Sequence, residues 1–259
     1  MGIINEMVSI IMPSYNSSGY IAQSIDSIIN QSYTNWELLI TDDCSTDNTC
    51  EIVERYAARD SRIKLFALEE NKGAGIARNN SIKEARGRYI AFCDSDDCWL
   101  PDKLKIQIEL MACTGAEICY GSYLTCDENN VNTGIVVAYK QITYKEICRD
   151  DSIGFLTCIY DTQRLGKVYL PELRKRQDWG WKIKLMKHCP IAYGIIKPIA
   201  VYRVRKGSLS NNKMKLIKYN VRVYHDILGL PLWLSWLKFL FHFMPWYIAK
   251  RIRLKIINQ

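Results

Sequence analysis

Over the first hundred residues, short apolar runs alternate with stretches whose apolar residues recur every third or fourth position. The run Val8-Ser9-Ile10-Ile11-Met12 predicts a buried strand that Pro13 closes, because proline has no N–H to give a central ladder. Ile21, Ile25, Ile28 and Ile29 then fall on one helical face. Residues 36–40 predict a second strand. A helix follows, which Thr46-Asp47-Asn48-Thr49 can cap ahead of Ile52, Val53, Tyr56 and Ala57. A strand over 63–68, a helix over 74–85 and a strand over 88–93 complete this series.

Beyond Pro101 the alternation loosens to a helix over 103–112, a strand over 117–126, a helix over 176–187 and a strand over 191–204. Strands alternating with helices across short connections predict an α/β fold. Its sheet is doubly wound and mostly parallel, with helices on both faces and a helical C-terminal extension. One continuous domain is expected over 1–204, in halves 1–112 and 113–204, with a basic loop and amphipathic helices over 205–259. Open sheets of this kind bind ligands beyond the carboxyl ends of their strands. The polar clusters Ser14-Tyr15-Asn16, Asp42-Asp43 and Asp94-Ser95-Asp96-Asp97 all fall at such ends.

Composition sharpens this picture in two places. The formal net charge of +8 hides a split: residues 179–259 hold 16 Lys+Arg and the single acid Asp226, whereas residues 1–178 hold 19 Lys+Arg and 26 acids. An acidic front and a basic back imply an anionic partner for the back. The ten cysteines include no C-x-x-C pair, which argues against a zinc module and leaves them as scattered thiols of a reducing cytosol. Met1-Gly2-Ile3-Ile4-Asn5-Glu6 carries an acid and no basic segment ahead of an apolar one, so no secretory signal is expected.

Asp94, Asp96 and Asp97 carry the sharpest chemistry. Three carboxylates in four residues at a strand tip repel one another unless a cation compensates, and a hard divalent ion shared with a diphosphate would do so. The alternative is a solvated acidic turn capping the next helix. Asp42-Asp43 could accept from a base N–H or ribose hydroxyls, or merely cap a turn. Asn71-Lys72-Gly73-Ala74-Gly75-Ile76-Ala77-Arg78-Asn79 opens a helix where backbone and Arg78 can approach a phosphate.

These four stretches, from Val8 to Asn16 and through Asp97, resemble glycosyltransferase family 2 of the GT-A fold in both order and spacing. The resemblance implies inverting transfer from a nucleoside diphosphate sugar, usually a UDP-sugar, with Mn2+ or Mg2+. It implies that Pro13 and Asp43 line the uridine pocket with Asp42 beside them. Asp94 would contact ribose or metal-bound water, joining Asp96, the metal ligand, at the metal site. Tyr15, Asn16, Lys72, Arg78 and Ser95 join the nucleotide-sugar-binding set. The second half is similar to bacterial O-antigen and capsule enzymes, in which an acid at a helix start deprotonates the acceptor; Arg176-Gln177-Asp178-Trp179 makes Asp178 that base. The alternative for Asp178 is a helix cap. Tyr202-Arg203-Val204-Arg205-Lys206 resembles the family's closing loop, but no histidine stands there, so either Asp96 and the diphosphate suffice for the metal, or Arg203, Arg205 and Lys206 neutralise the leaving diphosphate themselves. A solvated basic loop is the alternative.

Between residues 230 and 248 stand Trp233, Trp236, Phe239, Phe241, Phe243, Trp246 and Tyr247, broken by Pro231, Lys238, His242 and Pro245. That is too interrupted for a spanning helix and suits one lying on an anionic bilayer, with Lys250, Arg251, Arg253 and Lys255 behind it. Packing on the domain is the alternative. No nucleic-acid module is visible. The expected acceptor is a sugar on a polyprenyl pyrophosphate, and the expected location is the inner face of the cell membrane, held peripherally. The likeness is to β1,3-glucosyl- or galactosyltransferases of surface polysaccharide synthesis. A nucleotidyltransferase would want a glycine- and lysine-rich turn where Pro13-Ser14-Tyr15-Asn16 stands. A non-catalytic sugar-nucleotide or membrane-binding module would not need Asp178.

Overall fold

A computed structural model describes residues 5–205 and 213–248. The basic stretches 206–212 and 249–259, with Lys206, Lys250, Arg251, Arg253 and Lys255, lie outside the described residues. The first half reads β1 (Val8–Ser14), α1 (Ile21–Ile29), β2 (Trp36–Asp42), α2 (Thr49–Ala57), β3 (Ile63–Ala67), α3 (Ala74–Glu84) and β4 (Tyr89–Phe92). Next come β5 (Cys98–Trp99), α4 (Lys103–Thr114), β6 (Ile118–Cys126), β7 (Asn132–Val136), β8 (Gln141–Thr143) and α5 (Tyr144–Ile147). A 3-10 turn at Phe155–Thr157 leads to β9 (Ile159–Asp161), α6 (Thr162–Leu165), α7 (Gln177–Met186) and β10 (Ile191–Arg203). The chain closes with α8 (Lys213–Arg222) and α9 (Leu232–Lys238), each continued by a π turn, Val223–Ile227 and Phe239–Phe243.

One sheet orders the strands β3-β2-β1-β4-β9-β6-β10-β5. The block from β3 to β4 is parallel throughout, and β6 also runs parallel to β10. The short β9 sits between them, antiparallel to both β4 and β6, so the second half of the sheet is mixed. Three residues are too few to show any period, which is why this seam is invisible in the sequence. Pro13 does not close β1. The ladder with β4 ends where Ile11 O accepts from Cys93 N, while pairing with β2 runs on to Ser14 opposite Asp42. Two residues beyond Ile11, Pro13 faces the side that β4 has already left, so its missing N–H costs nothing.

Adjacent residues of each central strand feed opposite cores, as expected for a sheet covered on both faces. Ile10, Met12, Leu38 and Ile40 pack with Ile21, Ile25 and Ile28 of α1, whereas Ile11, Leu39, Ile90 and Phe92 face the other core. That second core also contains Trp179 and Trp181 of α7 together with Val221, Tyr224, Phe239 and Phe243. Tyr224 and Phe243 both lie 5.6 Å from the Trp179 ring. The C-terminal helices therefore pack one face on the domain. Their other face leaves Trp233 66% and Phe241 73% exposed.

At the start of α4, Lys103 is wholly buried, with its ammonium 3.8 Å from the Trp99 ring centroid and 2.7 Å from Gln107 Oε1. Burial pushes it down to about 7. A lysine favoured neutral in the fold makes folding oppose protonation. The penalty is complete below about pH 7 and fades as pH rises toward the ordinary lysine value. Lys103→Met should therefore unfold at higher denaturant than the parent at pH 7, by a few kcal/mol. Chemical denaturation at neutral and alkaline pH should show this gain shrinking at the higher pH.

Candidate active site

The tips of β1 and β2 form one hydrogen-bonded wall. Asp42 accepts from Ser14 Oγ at 2.8 Å, from Ser45 N at 2.7 Å and from Ser45 Oγ at 2.6 Å. Asp43, also buried, accepts from the backbone amides of Lys72 at 2.7 Å and Gly73 at 2.8 Å. It thereby stitches the loop ahead of α3 to the tip of β2. Gly73 holds φ +91° there, a backbone that L side chains rarely adopt. Pro13 is buried in this wall and Tyr15 is exposed on its rim. Asn16 takes φ +46° so that its Oδ1 can accept from Thr46 N at 2.8 Å. The Lys72 ammonium pairs with Glu70 in solvent at 2.9 Å, so Lys72 meets this wall through its backbone.

Beyond β4, the acidic turn is held by three arginines from two directions. Arg78 of α3 meets Asp94 at 2.5 Å and Arg205 meets Asp96 at 2.7 Å. Arg203 grips from behind. Its backbone N donates to Asp97 Oδ1 and its Nε to Asp96 O, both at 2.9 Å, while its Nη atoms reach Asn130 and Gln23. Ser95 Oγ meets Ser17 Oγ at 2.8 Å. Burial, and after it the Asp94 charge, holds Asp96 above the usual carboxylate range despite Arg205. Asp97 is buried and pushed well up by that burial and by Asp96 and Asp94. It is thus an internal strut, while Asp102 occupies the cap position of α4.

Among the described residues, no three His, Cys, Asp or Glu side chains form a metal cage. Small divalent ions need none when one or two carboxylates are completed by substrate phosphates. Asp96 and Asp94 fit that requirement. They are hard oxygen donors, and the desolvated Asp96 beside a like charge favours added positive charge.

The side of the edge across from the acidic turn is built on α7. Its cap residue Arg176 adopts φ +62°, an uncommon conformation for a side-chain-bearing residue, and Asp178 follows in the first turn. Burial alone would push Asp178 up, but Lys182, Arg176 and the Trp179 amide hold it below the usual range. Its side chain remains 38% exposed. The N-terminal ends of α3 and α7 touch: a Cβ on Gly75 would lie 2.5 Å from Gln177 Oε1. Phe155 bridges the two sides. The Arg78 guanidinium stands 5.0 Å from its ring and Lys182 Nζ 5.8 Å, and the ring packs on Phe92 and Trp181.

The family model described as glycosyl transferase family 2 matches residues 9–167. The chain belongs to glycosyl transferase family 2. Among its relatives, the UDP-Glc:alpha-D-GlcNAc-diphosphoundecaprenol beta-1,3-glucosyltransferase WfgD of Escherichia coli is 40% identical over 226 residues, 87% of this chain and 88% of that protein. The structure of S. aureus TarS 1-349 in complex with UDP-GlcNAc matches with a TM-score of 0.70 and 25% identity, over 88% of this chain and 69% of that one. A mannosyltransferase from Pyrobaculum calidifontis, solved with GDP-Man and Mn2+, shares the fold at a TM-score of 0.64 and 18% identity, over 88% of this chain and 66% of that one. The fold of this glycosyltransferase is GT-A.

Several residues of the glycosyltransferase site had no signal in the sequence. Gln23 and Asn130 hold Arg203, and Asp151 and Lys182 flank Asp178, from positions that no motif marks. Only Lys182 could have been suspected, as a cation in an otherwise apolar helical face four residues beyond Asp178. The two loop arginines differ in kind. Arg203→Met keeps the backbone donor to Asp97 but strips the Asp96 carbonyl, Asn130 and Gln23 of their guanidinium donors, and should lower unfolding free energy by about 3 kcal/mol. Arg205→Met breaks a partly exposed pair and should cost less than about 1 kcal/mol. Urea melts of both variants test this, and equal losses would contradict it.

Proposed function

We propose that this glycosyltransferase moves a hexose, glucose foremost, from its UDP-sugar to a sugar carried on a polyprenyl pyrophosphate, with inversion. The reading is carried by one observation: the acidic turn and Asp178 meet at a single sheet edge through Arg78, Phe155 and Lys182. Donor and acceptor machinery thus face one another. The name of the E. coli relative supports the glucose donor, the lipid-linked acceptor and a role in surface polysaccharide synthesis.

In the proposed reaction the uridine lies against Pro13, Tyr15, Asn16, Asp42 and Asp43, and the diphosphate lies near Arg78, Ser95 and Arg205. Asp94 and Asp96 would hold Mn2+ or Mg2+, which would supply positive charge to the diphosphate when bound. Asp178 accepts the proton of the acceptor hydroxyl as that oxygen bonds to the anomeric carbon. The bond from that carbon to the diphosphate oxygen breaks, and UDP departs with the electron pair. Attack from the face opposite the leaving group inverts the centre. An α-linked UDP-glucose should therefore give a β-linked product by NMR, and chelator should abolish turnover until Mn2+ or Mg2+ returns. Asp178→Asn should lose transfer by about 100-fold or more while binding UDP normally. An α-linked product, or full turnover in chelator, would contradict the reading.

The enzyme would meet its lipid-linked acceptor at the inner membrane face. No helix among the described residues is long and apolar enough to cross a membrane. On the outer side of α9 and its π turn, Leu232, Trp233, Trp236, Leu237, Leu240 and Phe241 are exposed, while Phe239 and Phe243 point into the core. An apolar face followed in the sequence by a basic stretch suits an anionic interface. Replacing Trp233, Leu240 and Phe241 by serine should abolish co-sedimentation with anionic vesicles. Because the inner face is untouched, the melting transition should stay within about 1 kcal/mol of the parent. Unchanged vesicle binding would remove the membrane role from this face.

A further inference from the structure

Lys182 is a full cation with almost no access to water. Its side chain is 2% exposed, deep in α7 and one turn beyond Asp178. Burying an ammonium is costly unless close acceptors compensate, and here three converge. Nζ pairs with Asp151, donates to Ile153 O at 2.7 Å, and stands 3.6 Å from Asp178 Oδ2. Arg176 lies 3.8 Å from the other Asp151 oxygen, so the cluster holds two carboxylates and two cations at the mouth of α7. An apolar side chain would fill the space beneath Trp181 and Phe155 without this desolvation. The ammonium therefore needs a reason beyond packing.

Resting on the reading of Asp178 as the base, we infer that Lys182, anchored by Asp151, is a positioning residue that keeps the Asp178 carboxylate ionised and turned toward the acceptor. Asp178 must be free of its proton when the acceptor hydroxyl arrives, yet its partial burial favours the protonated acid. Lys182 reverses that preference. It is fixed on the inner side by Asp151 and the Ile153 carbonyl, so it cannot swing out to solvent and leave the base uncompensated. The proton taken from the acceptor then rests on Asp178, with the Lys182 charge in place. Asp151 bears the cost of the cluster: burial first, and Asp178 after it, push it up to about 6 against the pull of Lys182 and Arg176.

The charged and titratable groups around this ammonium come from every neighbouring element. Asp151 and the Tyr123 phenol lie on the side of the strand–loop region, the Cys158 thiol lies beneath, and Arg176 and Asp178 stand on α7 itself. Arg78 faces it across Phe155 and is engaged by Asp94.

The test is the pH profile of kcat/KM with UDP-glucose and a synthetic GlcNAc-pyrophosphate-lipid acceptor. Lys182→Met should move the acid limb upward by about one unit, because a partly buried carboxylate loses its cation. The loss of rate should therefore be confined to the acid side and return as pH rises toward neutrality. Asp151→Asn loosens the anchor of Lys182 and removes the acid hydrogen-bonded to Asp178, so it should raise the limb as well, by less. Lys182→Arg should retain the parental limb. UDP affinity should be unchanged in all three. Should Lys182→Met fail to fold, the charge-balanced Lys182→Met/Asp151→Asn pair carries the same readout and should still show a raised limb. Limbs that do not move, alongside an inactive Asp178→Asn, would make Lys182 a packing residue and leave the base intact. If Asp178→Asn itself keeps transfer, the base assignment fails first.

Discussion

Three carboxylates crowded into four residues at the tip of β4 impose the demand that the surrounding structure answers. Asp94, Asp96 and Asp97 would drive one another apart in a partly desolvated edge. Their compensation comes from far along the chain: Arg78 from α3, and Arg203 and Arg205 from the end of β10. Arg203 joins the acidic turn to Gln23 of α1 and to Asn130 between β6 and β7. The register of β10 is thereby tied to the position of the turn. Asp97 has become internal framework in this arrangement, whereas Asp94 and Asp96 are met by arginine side chains at the sheet edge.

The second organising feature is the junction between halves. β9 pairs with β4 on one side and β6 on the other, so the parallel first half and the mixed second half share one sheet. Just ahead of β9, Phe155 is inserted between Phe92 and Trp181 and receives cations from both halves. The first turns of α3 and α7 come together there because position 75 has no side chain to oppose Gln177. Two helix N-termini meeting at one edge give a region of positive potential suited to a diphosphate.

Trp179 carries the link one step further. It follows Asp178 directly, is fully buried, and packs against Tyr224 and Phe243 of the C-terminal helices. The inner face of those helices thus supports the helix that bears Asp178, while their outer face presents aromatic residues to the exterior. Packing on the domain and presenting an apolar surface are two faces of the same segment.

The sequence alone determined the first half of the fold. Its strands and helices are long and periodic, and the polar clusters follow apolar runs, so chain order dictates which edge they share. Asp42-Asp43, the Gly73 turn and the acidic cluster were all legible for that reason. The tertiary structure decided what each group does. Asp42 and Asp43 look alike in sequence, yet one braces the β1–β2 wall and the other holds the loop before α3. Arg203 and Arg205 form one basic stretch, yet Arg203, at the end of β10, is held behind the acidic turn on the Asp96 carbonyl, whereas Arg205, past the strand end, reaches the Asp96 carboxylate. The three-residue β9, the bridging Phe155 and the buried Lys182–Asp151 pair left no periodic signal. Their roles come from contacts between residues distant in the chain, and local patterning does not encode such contacts.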